Sequence, residues 1–331
     1  MSELIKPFTL AIPENEVDRL HNKLRDIRRP SQDVVPNAGK DYGFETQWAE
    51  NLYNYWTNKF SWRKAEEHIN SIPQYTTLIE GLSIHFAHQR SQNPNAIPIL
   101  LVHGWPGSFY EFSEIIPLLS NPDDIKDQAF HCIAPSLPGF CFSSASTRKG
   151  CTMKDTARIF HTLMLRLGYN QYCVQAATGV NSLLASWEPT PPTPEHDNPV
   201  GLLAFVGEKY EEAANPEIQV HQKWIDHILT TVCLYYFSNC IMTSTLPYFE
   251  NIRHDEFAEY AMQEENLIQC PFAYTSCWFD TAPNSKRAVE RTGELAFYKE
   301  RDDTGHFACL ENPEGIADDV REVVCAHWTR S

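Results

Sequence analysis

The sequence predicts an α/β protein whose core is a doubly wound, mostly parallel sheet, and two observations support this. Three continuous apolar segments, "AIPILLVHG" (96–104), "AFHCIAPSLPG" (129–139) and "QYCVQAA" (171–177), are typical of parallel strands buried on both faces. The segments between them, "FYEFSEIIPLLS" and "TMKDTARIFHTLMLRLG", are helical in pattern, and alternation of strands with helices favours a parallel sheet. With 331 residues, the chain is long enough for one large domain with appendages.

The N-terminal part predicts a helical extension followed by the first strands, over residues 1–92. The segment "IPENEVDRLHNKLRDIRRP" begins with Pro13 and acidic residues, which suit a helix start, and Val17, Leu20 and Leu24 recur at helical spacing. A long aromatic-rich segment, 43–72, is also helical in pattern, and its stripe of large side chains indicates core packing. "YTTLIEG" and "LSIHFAHQR" then predict two strands.

The remaining chain divides into three predicted parts. The first half of the core spans 93–187. The prolines of "EPTPPTPEHDNP" exclude a helix interior and a central strand, and two helical segments after them predict a shortened helical cap over 188–262. The second half of the core, 263–331, contains the strand-like "KRAVERTG" and "LAFYKER", a loop, and a closing helix.

Composition excludes several classes of protein. The formal charge of −16 argues against nucleic acid and anionic membranes as partners, because both require clustered Lys and Arg. The ten cysteines never form C-x-x-C, the start lacks the apolar core of a secretion signal, and no segment is long enough to span a membrane. We therefore expect a cytoplasmic protein with reduced thiols. The histidines show no H-E-x-x-H, and the pair His85 and His88 lies in a strand with an alternating pattern, so neither a metal nor a cofactor is predicted.

Two turns have the pattern of an enzyme site. "HGWPGS" follows a buried strand, where a Gly-rich turn can present backbone N–H groups as an oxyanion hole, and this makes Gly104, Trp105 and Pro106 candidate site residues. In "YCVQAATGVNSLLASW" a short strand runs into small residues and a helical segment, as at a nucleophile-bearing turn. Thr178 and Gly179 lie at the apex of that turn.

Together with "PSLPGFCFSS" and "DDTGHFACLENP", these motifs resemble the microsomal-type epoxide hydrolases. The resemblance covers nearly the whole chain, including "FTLAIPENEVDRLHNKLRDIRRP", "ILLVHGWPGSFYEF" and "NPVGLLAFVGEKY". It implies the α/β-hydrolase fold and a two-step reaction, in which an aspartate attacks the epoxide and a His–acid pair activates water to hydrolyse the ester. It further implies that His306 is the base, Asp280 its acid partner, and Tyr248 a cap tyrosine that hydrogen-bonds to the epoxide oxygen.

The chain departs from the family pattern at the nucleophile. The family's turn reads Gly-Gly-Asp-Trp-Gly or close to it, whereas here the aligned residues are Ala176, Ala177, Thr178, Gly179 and Val180. The aspartate is replaced by Thr178, and the stretch from Val174 to Pro199 is too short for a further strand, its helix and the first part of a cap. The short stretch is consistent with a deletion or with a gene-model artefact.

These observations favour an enzyme that opens or rearranges an epoxide-type natural product, as in secondary metabolism, without a covalent Asp ester. The His306–Asp280 pair would act as general base and Tyr248 as acid, with cyclisation or isomerisation favoured over hydrolysis. The alternatives are a non-catalytic paralogue that binds a partner, a weak esterase or lactonase using Thr178, and residual epoxide hydrolysis. The expected substrate is a hydrophobic small molecule. The sequence is also compatible with a homodimer.

Overall fold

The computed structural model of the protein describes residues 4–27, 35–36, 43, 45–176, 197–254 and 263–329. Within these ranges the strands β1–β8 are, in chain order, Lys6–Phe8, Gln74–Ile79, Leu82–Gln89, Ile97–Val102, Phe130–Pro135, Cys173–Ala176, Ile268–Phe279 and Gly293–Gly305. The helices α1–α12 are Glu14–Arg25, Thr46–Asn58, Trp62–Asn70, Ile115–Ser120, Met153–Arg166, Pro199–Glu212, Gln222–Ser238, Ile241–Ser244, Leu246–His254, Lys286–Val289, Ala308–Glu311 and Pro313–His327.

The central sheet has its parallel strands where the apolar segments predicted them. Among the described residues its strand order is β1-β2-β3-β5-β4-β6. β4 pairs in parallel with β5 (Ile99 opposite Cys132) and with β6 (Val102 opposite Ala176), while β1, β2 and β3 pair antiparallel. The predicted α/β class with a doubly wound sheet is thus confirmed, and the carboxyl ends of β4 and β6 lie side by side at one edge, where such folds place their sites.

The described strands divide into two sheets rather than one. β7 and β8 pair in parallel with each other and form a separate two-stranded sheet. Burial, with a smaller contribution from Cys270 of β7, raises the pKa of Cys173 on β6 to about 12, so these two cysteines of the two sheets interact. In the part of the chain that the structure describes, no strand joins β6 to β7.

The helices begin and end where local chemistry favours it. α1 has Glu14 and Glu16 in its first turn and basic residues in its last, which suits the helix dipole. α6 begins with Pro199, and the side chain of Asn198 accepts hydrogen bonds from the N–H groups of Val200 and Gly201. These caps explain why the helical predictions for both segments hold.

Three local predictions are wrong. "KRAVERTG" (286–293), predicted as strand-like, forms α10 and a following 3-10 turn, since its alternation is too short to compete with a helical turn after Ser285. The long segment 221–249, read as one helical stretch, breaks into α7, α8 and the start of α9, with Asn239 in the left-handed conformation at the first break. The strand of His85 and His88 is buried on both faces instead of alternating.

The cysteine side chains are mostly buried. Six of the ten cysteines are buried, and all ten, each in a described range, are unbridged. The described helices include none long and apolar enough to cross a membrane. No group of three residues able to hold a metal ion occurs among the described residues.

Buried histidines should make stability depend on pH. Burial lowers the folded-state pKa of His85 to about 3 and that of His103 to about 4, whereas an unfolded histidine titrates near about 6.5. Below that pH the unfolded chain binds protons at these positions that the folded chain excludes, so the two histidines should lower the free energy of unfolding as the pH falls from about 6.5 towards 4. At pH 5 the loss should be on the order of 2 kcal/mol per histidine.

Urea unfolding at pH 7 and pH 5 measures this effect. His85→Asn, which removes one such group, should lose less stability between the two pH values than the wild type does. A His85→Asn protein that loses as much stability as the wild type between the two pH values would contradict the expectation.

Candidate active site

The turn after β4 is held in place by the buried side chain of His103. His103 is buried, its Nδ1 lies 2.9 Å from the Gly104 carbonyl oxygen, and its Nε2 accepts a hydrogen bond of 3.1 Å from the Leu137 N–H. This pattern requires a neutral ring, which agrees with the lowered pKa that burial causes. His103 therefore serves the geometry of the turn and is not a candidate base.

The Glu111 carboxyl also packs against this turn. Burial raises the pKa of its carboxyl well above the usual range, and a hydrogen bond with the Gly104 backbone opposes this. Its Oε2 would lie 2.0 Å from a Cβ at Gly107, so a side chain at that position would displace the Glu111 carboxyl. The hydroxyl of Tyr235 on α7 donates to the Gly107 carbonyl oxygen at 2.9 Å. The predicted residues Gly104, Trp105 and Pro106 thus lie on a tightly packed turn.

The predicted nucleophile position lies outside the described residues. Thr178 and Gly179 follow β6, whose last described residue, Ala176, is opposite Val102 of β4. Because the carboxyl ends of adjacent parallel strands lie at the same edge of a sheet, we expect the two turns to lie close together, and the strand register supports this as far as Ala176. Its extension to Trp105 and Thr178 stays a prediction.

His306 and Asp280, 26 residues apart, are in direct contact. His306 lies in the turn between β8 and α11, and Asp280 directly follows β7; the distance from Nδ1 to Oδ1 is 2.9 Å. Both side chains are largely buried, 7% and 8% exposed. Burial raises the pKa of Asp280, but the hydrogen bond with His306 and nearby backbone N–H groups more than offset this, so the pKa is lowered. An ionised Asp280 can only accept, so Nδ1 carries the proton and Nε2 is left as the basic nitrogen.

Tyr248 of α9 is also in contact with Trp105 of the turn after β4. Tyr248 lies near the start of α9 and is buried, and its ring packs edge-on against that of Trp105 at 6.0 Å between centroids. Burial raises the pKa of the Tyr248 hydroxyl, which keeps it protonated and able to donate. The ring of Phe205 on α6 also packs against that of Trp105, at 5.4 Å between centroids. These rings form an apolar aromatic wall beside the turn.

Helix α6 connects this wall with the histidine. Phe205 contacts Trp105, and five residues further on Tyr210 stacks on Phe307 at 3.8 Å with nearly parallel rings. At the end of the helix the Ala213 carbonyl oxygen accepts a hydrogen bond of 2.7 Å from the His306 N–H. Five residues of an α-helix span about 7.5 Å, so both groups of candidate residues are positioned against one short helix.

One residue of this region was missed from the sequence. Glu311, at the end of α11, accepts hydrogen bonds from the N–H groups of Gly305, Phe307 and Asn215. Acidic residues in the last part of the chain are numerous, so nothing in the local pattern distinguishes a buried glutamate from an exposed one.

The fold and the His–acid pair define a protein of the α/β-hydrolase class. Family models match in two places: "Epoxide hydrolase N terminus" over residues 5–112 and "alpha/beta hydrolase fold" over residues 97–176. A protein of Stigmatella aurantiaca, provisionally named an epoxide hydrolase, is 30% identical over 382 residues, covering 96% of this chain and 84% of that protein. The chain belongs to the epoxide hydrolase family.

Further relatives agree with this membership. Epoxide hydrolase 1 of Oryctolagus cuniculus is 28% identical, with 97% of this chain and 89% of the relative covered. The solved structure of Aspergillus niger epoxide hydrolase matches with a TM-score of 0.84 at 28% identity, covering 99% of this chain and 97% of that one. The juvenile hormone epoxide hydrolase of the silkworm Bombyx mori matches with a TM-score of 0.80 at 27% identity, covering 98% and 94%.

The comparison with the rabbit protein also reveals a difference in length. The alignment is 407 positions long, whereas the whole chain has 331 residues. The relative therefore carries segments that this chain lacks. This agrees with the short stretch between Val174 and Pro199 and with the division of the described strands into two sheets.

Proposed function

We propose that this chain is an epoxide-hydrolase-like enzyme that opens an epoxide through general-base catalysis, without forming a covalent ester. The observation that carries the proposal is the contact of His306 with Asp280, at 2.9 Å and largely shielded from solvent. A chain released from catalysis has no need to hold a buried imidazole and carboxylate in this orientation. The family membership supplies the reaction class, and Thr178 at the aligned nucleophile position excludes an aspartyl ester there.

The proposed reaction uses three side chains. His306 Nε2 removes a proton from a water molecule or from a hydroxyl of the substrate, and the released oxygen attacks one epoxide carbon. The carbon–oxygen bond of the epoxide breaks, and its oxygen takes the proton of a hydrogen bond donated by Tyr248. The proton on His306 then returns to the tyrosine oxygen through solvent. Asp280 keeps the imidazole in the required tautomer and stabilises its charged form.

The nucleophile decides the product. Water gives a diol, while an internal hydroxyl gives a cyclic ether, and we favour the internal route because no aspartate stands at the aligned position to hydrolyse the epoxide in two steps. The aromatic wall of Trp105, Phe205 and Tyr248 supports a hydrophobic small-molecule substrate.

Incubation with a panel of epoxides in heavy-oxygen water tests the proposal. A rearranged or cyclised product without the heavy isotope supports internal attack, and a labelled diol supports attack by water. Rapid quenching separates a third route: label first incorporated into the protein, as in an ester, would overturn the non-covalent mechanism. No conversion of any epoxide, including hydroxy-epoxides, would overturn the proposed function.

A second candidate is a non-catalytic paralogue that binds a ligand or partner. The observation in its favour is that, in the described ranges, β6 pairs with β4 alone and β7 with β8 alone. A site at the junction of two incompletely joined sheets is less rigid than one on a continuous sheet. Failure of all epoxides in the panel, together with tight binding of one of them by calorimetry, would favour this candidate.

Thr178→Asp is not expected to restore ordinary epoxide hydrolysis. An attacking carboxylate must be held close to the epoxide carbon, and small misplacement costs orders of magnitude in rate. The strand that leads to position 178 is short and, among the described residues, supported on one side only. Diol formation from styrene oxide should stay within about twofold of the wild-type level.

Mass spectrometry of the same variant gives a second measurement. After exposure to styrene oxide, the peptide that contains the introduced aspartate should remain unmodified, with the wild-type protein as control. Alkylation of the introduced carboxylate, or diol well above the wild-type level, would show that the site had lost its nucleophile and nothing else.

A further inference from the structure

Glu311 binds the two backbone N–H groups that flank His306. Its Oε2 accepts from the Gly305 N–H at 2.8 Å, and its Oε1 accepts from the Phe307 N–H at 3.0 Å. Oε2 also accepts from the Asn215 N–H at 2.9 Å, which belongs to the segment after α6. One side chain thus connects both neighbours of the histidine with the end of α6, the helix that carries Phe205.

The three backbone N–H donors require that the Glu311 side chain be a carboxylate that accepts hydrogen bonds on both oxygens. Backbone N–H groups can only donate, so a protonated oxygen or an amide nitrogen at either position would face a donor. Burial raises the pKa of Glu311 to about 7, while the three N–H groups and His306 oppose the rise. The other titratable groups that face Glu311 include Cys277 of β7. Above neutral pH the buried side chain is an anion held by hydrogen bonds.

The surrounding backbone leaves the histidine turn little alternative. Gly305 approaches the Ala213 carbonyl so closely that a Cβ would lie 2.2 Å from its oxygen. The His306 N–H donates to the same oxygen at 2.7 Å. Because Glu311 accepts the N–H groups of both neighbours of His306, each N–H group of residues 305–307 is hydrogen-bonded. The direction of the His306 side chain follows from these bonds.

We propose that Glu311 is a positioning residue, whose carboxylate holds the 305–307 turn so that His306 Nδ1 meets Asp280. The inference rests on the proposed role of His306 as the base. It predicts that Glu311 acts on the His306–Asp280 hydrogen bond through the backbone, without touching the reacting atoms.

The imidazole Nδ1–H proton of His306 gives a direct readout by NMR. At pH 8.5 the wild type should show a downfield resonance for this proton, assigned by ¹⁵N-histidine labelling and by its loss in His306→Ala. Glu311→Gln should lose or shift this resonance, because the amide nitrogen replaces an acceptor. The matched control is Glu66→Gln on α3, where a buried glutamate accepts a backbone N–H from Ile12 at 2.7 Å; it should leave the resonance unchanged.

Amide hydrogen exchange provides the second measurement. Exchange of the Gly305 and Phe307 amides should be slow in the wild type and about 10- to 100-fold faster in Glu311→Gln, as expected for loss of a hydrogen bond to a charged group. If that variant does not fold, the wild type alone still decides: exchange at both amides as fast as in an exposed loop would overturn the proposal. So would an unchanged His306 resonance in folded Glu311→Gln. Neither readout needs turnover, so a protein that converts no epoxide can still confirm or overturn the positioning role.

Discussion

His306→Ala is expected to lower the rate of epoxide opening by about 10²–10⁴-fold, the loss typical when a general base is removed. The turn that carries the residue is held by backbone hydrogen bonds to Ala213 and Glu311, which the substitution leaves in place. The fold should therefore persist, with an unchanged circular dichroism spectrum. The rate is measured on whichever epoxide the heavy-oxygen panel identifies.

A matched control distinguishes a loss of the base from a general effect of removing an imidazole. His161 lies on α5, is exposed, and has its Nδ1 2.8 Å from the Tyr172 hydroxyl. His161→Ala should retain the wild-type rate. If His306→Ala is as active as His161→Ala, the general-base mechanism is wrong.

Gly305→Ala should have a comparably large effect for a steric reason. The added Cβ would lie 2.2 Å from the Ala213 oxygen and 3.0 Å from the Ala214 Cα, and these backbone atoms cannot move aside by changing a rotamer. The turn must shift, which breaks the bond from the His306 N–H to Ala213. We expect a loss of about 1–3 kcal/mol in the free energy of unfolding and a fall in rate close to that of His306→Ala.

Gly207→Ala on α6 is the control for this substitution. There the nearest atom to the added Cβ, at 3.0 Å, belongs to the Trp48 side chain, and alanine is the better helix former by about 1 kcal/mol. Its stability and rate should stay close to those of the wild type. Thermal melting and initial rates compare the three proteins, and a Gly305→Ala protein with wild-type values for both would refute the steric argument.

The order of local elements was predictable because local chemistry encodes it. The apolar runs that became β4, β5 and β6, and the Pro–acidic start of α1, depend on residues close in the chain. β7 was not predicted, because its exposed and half-buried residues form no continuous apolar run. The segment 286–293 was misassigned for the related reason that a few residues are compatible with either a strand or a helical turn.

The candidate site divides in the same way. The motifs around His306 and Asp280 are visible in the sequence through resemblance, and so is the replacement of the family's aspartate by Thr178. Glu311 was not found, because an acidic residue near a surface helix is ordinarily solvated. Only packing reveals that three N–H groups converge on it.

The sequence alone determined most of the element types, the acidic charge and the identity of the chemical groups, because periodicity, caps and composition act over short distances along the chain. The tertiary structure decided which groups meet: that His306 Nδ1 faces Asp280, that α6 lies between Trp105 and Phe307, and that the described strands form two sheets. Contacts between residues far apart in sequence depend on how apolar faces pack and on which polar groups are then buried. A carboxylate or imidazole acquires its role only when that packing removes it from water.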